Sequence, residues 1–299
     1  MTPSEWLATG FGDLLRRVAG AWDPRPVVLL VVLAFGALYV RGWWHLRRTP
    51  RTRGAAPGWR LLAYLLGLAT IVLALCSPIE ILAELSFTAH MVQHQLLMMT
   101  APPLLLLGAP FALILWAVPP RLRRRVGALV SRPGPVRRVL RTLTWMPVAG
   151  TLFTVTLWGW HHPRAYEAAL RYPVLHDLEH LTFFGTAVLF WWPVINPAPR
   201  FHHLTSGVMY GARIGYLVLA TAQNTLLGAV LGMAERVFYP SYAAAPQLLA
   251  DWSPLDDQSF GGGVMWSASH MFLVAILVLL HRAIETEGRK ASARARPIV

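Results

Sequence analysis

Two histidine pairs stand at i, i+4 spacing in apolar surroundings. One is His90-x-x-Gln93-His94, which runs into LLMMTAPPLLLLGAP; the other is His176-Asp177-Leu178-Glu179-His180. Residues four apart on a helix share a face, about 6 Å from one another, so each pair offers two imidazoles to one target. An ionisable pair inside a long apolar stretch is costly and marks a functional site by default. Neutral imidazole is a good donor to Cu, Zn, Fe and Ni. His270, placed about two turns into the last apolar stretch, lets a third helix deliver an imidazole to similar depth. Softer donors lie close in sequence: Cys76, Met91, Met98, Met99, Met265 and Met271. Thiolate and thioether ligands select Cu(I) over harder ions. Met98 continues the face of His90 and His94 one turn deeper. The plainer role of any single methionine is core or lipid filler, and that of a histidine pair is a hydrogen bond between helices.

Other chemistries fit parts of the same residues. His176-x-x-Glu179-His180 matches H-x-x-E-H, a pattern in which the two histidines bind zinc and the glutamate is the general base of an intramembrane hydrolase. A haem-binding electron carrier is a third possibility, but i, i+4 histidines on one helix cannot ligate one haem from opposite faces. His161-His162-Pro163 follows Trp158 and Trp160, an interfacial aromatic position, and His162 is a further candidate donor. The segment Asp256-Asp257-Gln258-Ser259-Phe260-Gly261-Gly262-Gly263 precedes the last apolar stretch. Its glycines permit close backbone approach or a hinge, and Asp257 could orient a ligand histidine.

The elements that must position these groups are membrane helices. The chain is 55% hydrophobic and 14% charged, against about 25% charged in soluble domains. The expected fold is an all-α, polytopic transmembrane bundle. Apolar stretches of spanning length fall at 26–44, 60–78, 84–118, 143–160, 177–195, 208–232 and 264–283. The third is too long for one straight crossing and contains Pro102 and Pro103, so it is either one kinked helix or a helix with a re-entrant piece. The organisation expected is an outer segment 1–25, one transmembrane helical domain 26–283 and a basic cytoplasmic tail 284–299. The first apolar run has no small-residue cleavage site after it and is long enough to span, which speaks against a cleaved signal peptide.

Twenty basic residues lie in one set of loops and the C-terminal tail, six lie on the other side, and Arg213 lies within the sixth stretch. The positive-inside rule then places the N-terminus outside and the C-terminus in the cytoplasm. Loop topology also accounts for the net charge of +13, which removes the case for nucleic acid. In this orientation His90, His94, His161, His162, His176, His180 and His270 are near the outer surface, as are twelve of the fourteen acidic residues. A single cysteine excludes an intramolecular disulfide.

At these residues the chain resembles the CtaG family, the membrane-embedded assembly factors of bacterial caa(3)-type cytochrome c oxidase. The resemblance is carried in order by His90-x-x-Gln93-His94 with Pro102-Pro103 and Gly108-x-Pro110; by Trp160-His161-His162-Pro163 with Tyr166; by His176-x-x-Glu179-His180 with Trp191-Trp192; and by Asp257-Gln258-x-x-Gly261-Gly262 with Trp266. It covers roughly residues 60–285. It implies a non-enzymatic, multi-pass protein of the bacterial cell membrane that works with cytochrome c oxidase subunits, in copper supply to the metal centres. A copper site, as Cu(I), would then draw on His90, His94, His176 and His180, completed by His270 and His162. Met98, Met91, Glu179 and Asp257 are accessory candidates. Cys76 belongs to none of the motifs. Copper would come from a donor on the outer side. The alternatives are the zinc hydrolase and a plain scaffold for oxidase subunits.

Overall fold

The computed structural model describes residues 20–202, 207–245 and 252–294. Among these residues there is no strand, and the chain is a bundle of helices. Five helices are long and apolar enough to cross a membrane, and a bent pair makes a sixth.

Helix α1 (Pro26–Arg47) starts on proline, whose missing N–H costs nothing in a first turn. It packs against α2 (Gly58–Cys76) and against the later helix over 110–117, and the rest of its surface is largely exposed. A short helix, α3 (Ile79–Leu85), follows. Next comes α4 (Phe87–Leu107), the carrier of His90 and His94. It widens into a π turn over Leu96–Thr100, just before Pro102 and Pro103. Proline cannot donate to the carbonyl four residues back. For Pro102 that carbonyl belongs to Met98, and it accepts instead from the Trp191 indole N–H at 3.1 Å. The kink thus has a named cause, and the orphaned carbonyl has a partner.

Ala109, in the left-handed region at φ 50°, turns the chain into α5 (Pro110–Ala117). The axis bends by 58° there. The stretch 84–118 is therefore α3's last turn plus two helices at an angle. α5 lies against α1, where Gly42 admits close contact. A Cβ at Gly42 would stand 1.9 Å from the Leu113 carbonyl oxygen. Tyr39 fixes the same junction by donating to the Gly108 carbonyl at 2.7 Å and stacking on Tyr64.

Two short basic helices, α6 (Pro120–Ser131) and α7 (Pro135–Leu143), lead to α8 (Met146–His161). With 16 residues, α8, the counterpart of the apolar stretch 143–160, is shorter than the helices long enough to cross a membrane and is not one of them. Then follow α9 (Pro163–Arg171), α10 (Pro173–Ile195), α11 (Gly207–Gly232) and the single turn α12 (Pro240–Ala244). The chain finishes in α13 (Pro254–Ser267) and α14 (Ser269–Arg294). The Asp256–Gly263 segment before the last apolar stretch is helical. Ser253 caps α13, with Asp256 closing a reciprocal capping box. Its glycines serve close approach: a Cβ on Gly262 would lie 2.4 Å from the Gly232 nitrogen, and one on Gly261 would lie 2.4 Å from the Phe87 ring. The main apolar core joins α4, α8, α10, α11, α13 and α14 around Phe153, Phe183, Phe190 and Phe272.

Candidate metal centre

Three helices converge on one buried polar cluster. From α4 come His90 and His94, from α10 come His176, Glu179 and His180, and from α8 comes His161. Ring centroids are 4.3 Å apart for His90 and His94, 4.2 Å for His176 and His180, and 5.6 Å for His94 and His180. The Nε2 atoms of His90 and His176 are 3.3 Å apart. One nitrogen each from His90, His94 and His180 lie within 4.8 Å of one another, and so do donor atoms of His90, His176 and Glu179. Glu179 is fully buried, with its carboxylate oxygens 3.8 Å from His94 Nε2 and 4.0 Å from His90 Nε2.

The cluster is under-satisfied. Both ring nitrogens of His94 and of His180, Nε2 of His161 and both oxygens of Glu179 are buried without a hydrogen-bond partner. Each such group costs about 1–3 kcal/mol when left bare, and here they share one locus. His161 Nδ1 lies 2.7 Å from the Leu157 carbonyl, which can only accept, so Nδ1 carries the proton and Nε2 presents a lone pair. His90 Nδ1 meets the Tyr242 hydroxyl at 2.7 Å and the Tyr166 hydroxyl at 2.8 Å, and Tyr242 in turn donates to the Ala83 carbonyl. Such outer partners fix ring orientation and tautomer in metal sites. Residues that converge in this way, with donor atoms of His94, His161, His180 and Glu179 free of competing hydrogen bonds, fit a metal ion.

Around the cluster, each support has a visible source. Asp257 accepts from Phe87 N at 2.7 Å, Thr88 N at 3.2 Å and Ser86 Oγ at 2.8 Å. It caps the N-terminus of α4 from a distant helix, and so sets the helix that carries His90 and His94 rather than touching an imidazole. Gln93, between the two histidines in sequence, donates to the Ala74 carbonyl and to Glu80. Glu80 is also paired with Arg25 and lies 3.8 Å from His176 Nδ1. Burial pushes the Glu80 carboxyl up to about 7, against the opposing pull of Arg25 and the Gln93 hydrogen bond.

The remaining sequence candidates fall elsewhere. His162 is exposed, in extended conformation between α8, which ends at His161, and α9. His270 is exposed, and its Nδ1 bonds the Ser267 carbonyl across the break between α13 and α14. Met91 and Met98 are buried in the apolar core, and Cys76 is buried at the end of α2. The cluster takes His161 rather than the expected His162, because Ala149, Phe153, Leu157 and His161 form one buried i, i+4 stripe. Tyr242 had no local signal: it reaches His90 from α12, 152 residues away.

A match over residues 37–285 decides the kinship. The chain belongs to the cytochrome c oxidase caa3 assembly factor family, Caa3_CtaG. The match includes every helix of the cluster and stops before the C-terminal tail. Caa3_CtaG membership and the apolar helices together make this a multi-pass cell-membrane protein. Among curated proteins, the chain is 28% identical over 279 residues to an uncharacterized protein of Mycobacterium bovis, a match covering 88% of this chain and 39% of that protein. It is 27% identical over 294 residues to an uncharacterized protein of Mycobacterium leprae, covering 90% and 41% respectively. The chain thus spans about two fifths of the length of these relatives. No solved structure matches it significantly.

Proposed function

We propose that the protein binds copper as Cu(I) at the buried histidine cluster and supports its delivery to the metal centres of a cytochrome c oxidase. Copper here is cargo. The observation that carries the reading is the set of buried atoms without a hydrogen-bond partner, the ring nitrogens of His94 and His180, Nε2 of His161 and the carboxylate of Glu179, gathered beside the buried His90. Neutral imidazoles bind Cu(I) without needing a base. His90, His94 and His180 would hold the ion, with His161 and His176 beside them. Membership of an oxidase assembly family supplies the destination. The loop charges, read by the positive-inside rule, support an outer-facing site that a periplasmic or extracellular donor would load.

Metal content by mass spectrometry after loading with Cu(I) under reducing conditions tests this. The comparison is wild type with His90→Ala/His94→Ala and with His176→Ala/His180→Ala. Near-stoichiometric copper that is lost in both double variants is the expected result. Zinc lost only with the second pair would favour the H-x-x-E-H hydrolase. No metal in any sample would leave a scaffold whose histidines serve helix packing.

A further inference from the structure

A groove of about 990 Å³ runs between α1, α2 and α10. Val28 and Val31 of α1, Leu68 and Ile71 of α2, and Leu181 and Phe184 of α10 form its apolar walls. One end is polar. Asp23, Arg25, Glu80, Glu84 and Asp177 line it, together with His176 and His180 of the cluster. Four carboxylates against two guanidinium groups, those of Arg25 and Arg171, leave a net negative lining that suits a cation and repels an anion or a lipid phosphate. His180, buried and with both ring nitrogens unpartnered, lines the same groove.

His176 stands between this mouth and the buried histidines. Its Nδ1 is 3.8 Å from Glu80, and its Nε2 is 3.3 Å from Nε2 of His90. Its side chain is 12% exposed, whereas those of His90 and His94 are at most 3% exposed. Arg25 closes the mouth. Its guanidinium donates to Asp177 at 3.1 Å and to Glu80, and lies 3.6 Å from Asp23. It thereby ties the start of α1 to α3 and α10, and puts a positive charge where an incoming cation must pass.

We infer that this groove is the route by which a metal cation reaches the histidine cluster, with His176 as the first histidine met and Arg25 as a latch across the mouth. The inference rests on the copper-binding reading and adds the path and its control. In passing, the cation takes the place of the guanidinium against Glu80 and Asp177, and Arg25 swings toward Asp23 and solvent. No bond of the chain is made or broken.

The test separates rate from capacity. The full chain in detergent, kept anaerobic, is mixed with the coloured bicinchoninate complex of Cu(I), and uptake is followed by loss of colour. Arg25→Gln is expected to speed uptake by about tenfold, since it removes a cation from the approach. Val31→Trp, which fills the groove wall away from the cluster, is expected to slow uptake by a similar factor. Final copper per chain stays at the wild-type level in both. Should Arg25→Gln misfold, Val31→Trp still decides. Full copper content with wild-type rates in the variants would overturn the route and leave the copper site standing. A wild-type chain that takes up no copper would remove the site, and the route with it.

Discussion

Asp257 is the residue whose replacement most directly links the fold to the site. Its carboxylate receives three donors at the start of α4, Phe87 N, Thr88 N and Ser86 Oγ, all within 3.2 Å. Two go to Oδ1 and the Phe87 amide goes to Oδ2. Asparagine keeps one oxygen and sets an amide NH₂ against the Phe87 N–H. One bond to a charged acceptor is lost, about 1.5–3 kcal/mol. The loss of negative charge at a helix N-terminus adds about 0.3–1 kcal/mol. Asp257→Asn is therefore expected to cost about 3 kcal/mol of stability. His90 is only three residues into α4, so fraying of this end moves the imidazole that Tyr166 and Tyr242 hold. A loss of copper affinity of about 10–100-fold should accompany the lower Tm, the range seen when outer supports of metal ligands are removed. Thermal unfolding in detergent and a Cu(I) competition titration measure the two effects. Asp256→Asn is the control, because Asp256 caps only its own helix and is exposed. If Asp257→Asn matches Asp256→Asn in both assays, the distant cap does not set the site.

Three more outcomes follow from the geometry. His161→Ala should weaken Cu(I) binding at least about tenfold, while His162→Ala, exposed just past the end of α8, should leave it unchanged; the reverse order in a titration would refute the placement of His161 Nε2. Gly42→Ala should lower thermal stability by about 1–3 kcal/mol through overpacking, because the new methyl meets the Leu113 carbonyl; an unchanged Tm would mean that α1 and α5 do not cross so closely. Glu179→Gln should weaken Cu(I) by about 10–100-fold and Zn(II) by more, as read by competition against chelators of known affinity, and equal losses for the two metals would contradict a site whose charge Glu179 balances.

Much of this arrangement is legible in the chain because it is local. Apolar length marks the helices at 26–47, 173–195 and 208–232, and the prolines at 102 and 103 mark the break in the long third stretch. The i, i+4 spacing puts His90 with His94 and His176 with His180 on single helix faces, and both pairs meet. What local pattern cannot supply is the packing order. Tyr242 lies in a one-turn helix without any spacing signal, yet it holds His90. Asp257 was a plausible partner for an imidazole, but a tertiary contact turns it onto the backbone of α4 instead. His270 lies one helical register from the core, and the break at Ala268 leaves it facing outward. His161 was within reach of pattern reading, since the stripe of Ala149, Phe153 and Leu157 already points at it rather than at His162.

The single carboxylate in the cluster bears on which ion it suits. The imidazoles are neutral donors when they ligate, so Glu179 contributes the only formal charge among the grouped donor atoms. With Cu(I) bound, one positive and one negative charge sum to zero. With Zn(II), one positive charge is left over in a place where Glu179 and His90 have essentially no exposure. Burying an uncompensated charge is what apolar surroundings penalise most, and the penalty grows with the square of the charge. Removing the Glu179 charge raises the net charge from zero to one for copper and from one to two for zinc, so zinc loses about three times as much on that scaling. A hydrolytic site would behave differently: there Glu179→Gln removes a base, and the metal, held by histidines, stays. The cluster's own charge count therefore separates a store for a monovalent cation from a hydrolytic zinc site, through one substitution and two titrations.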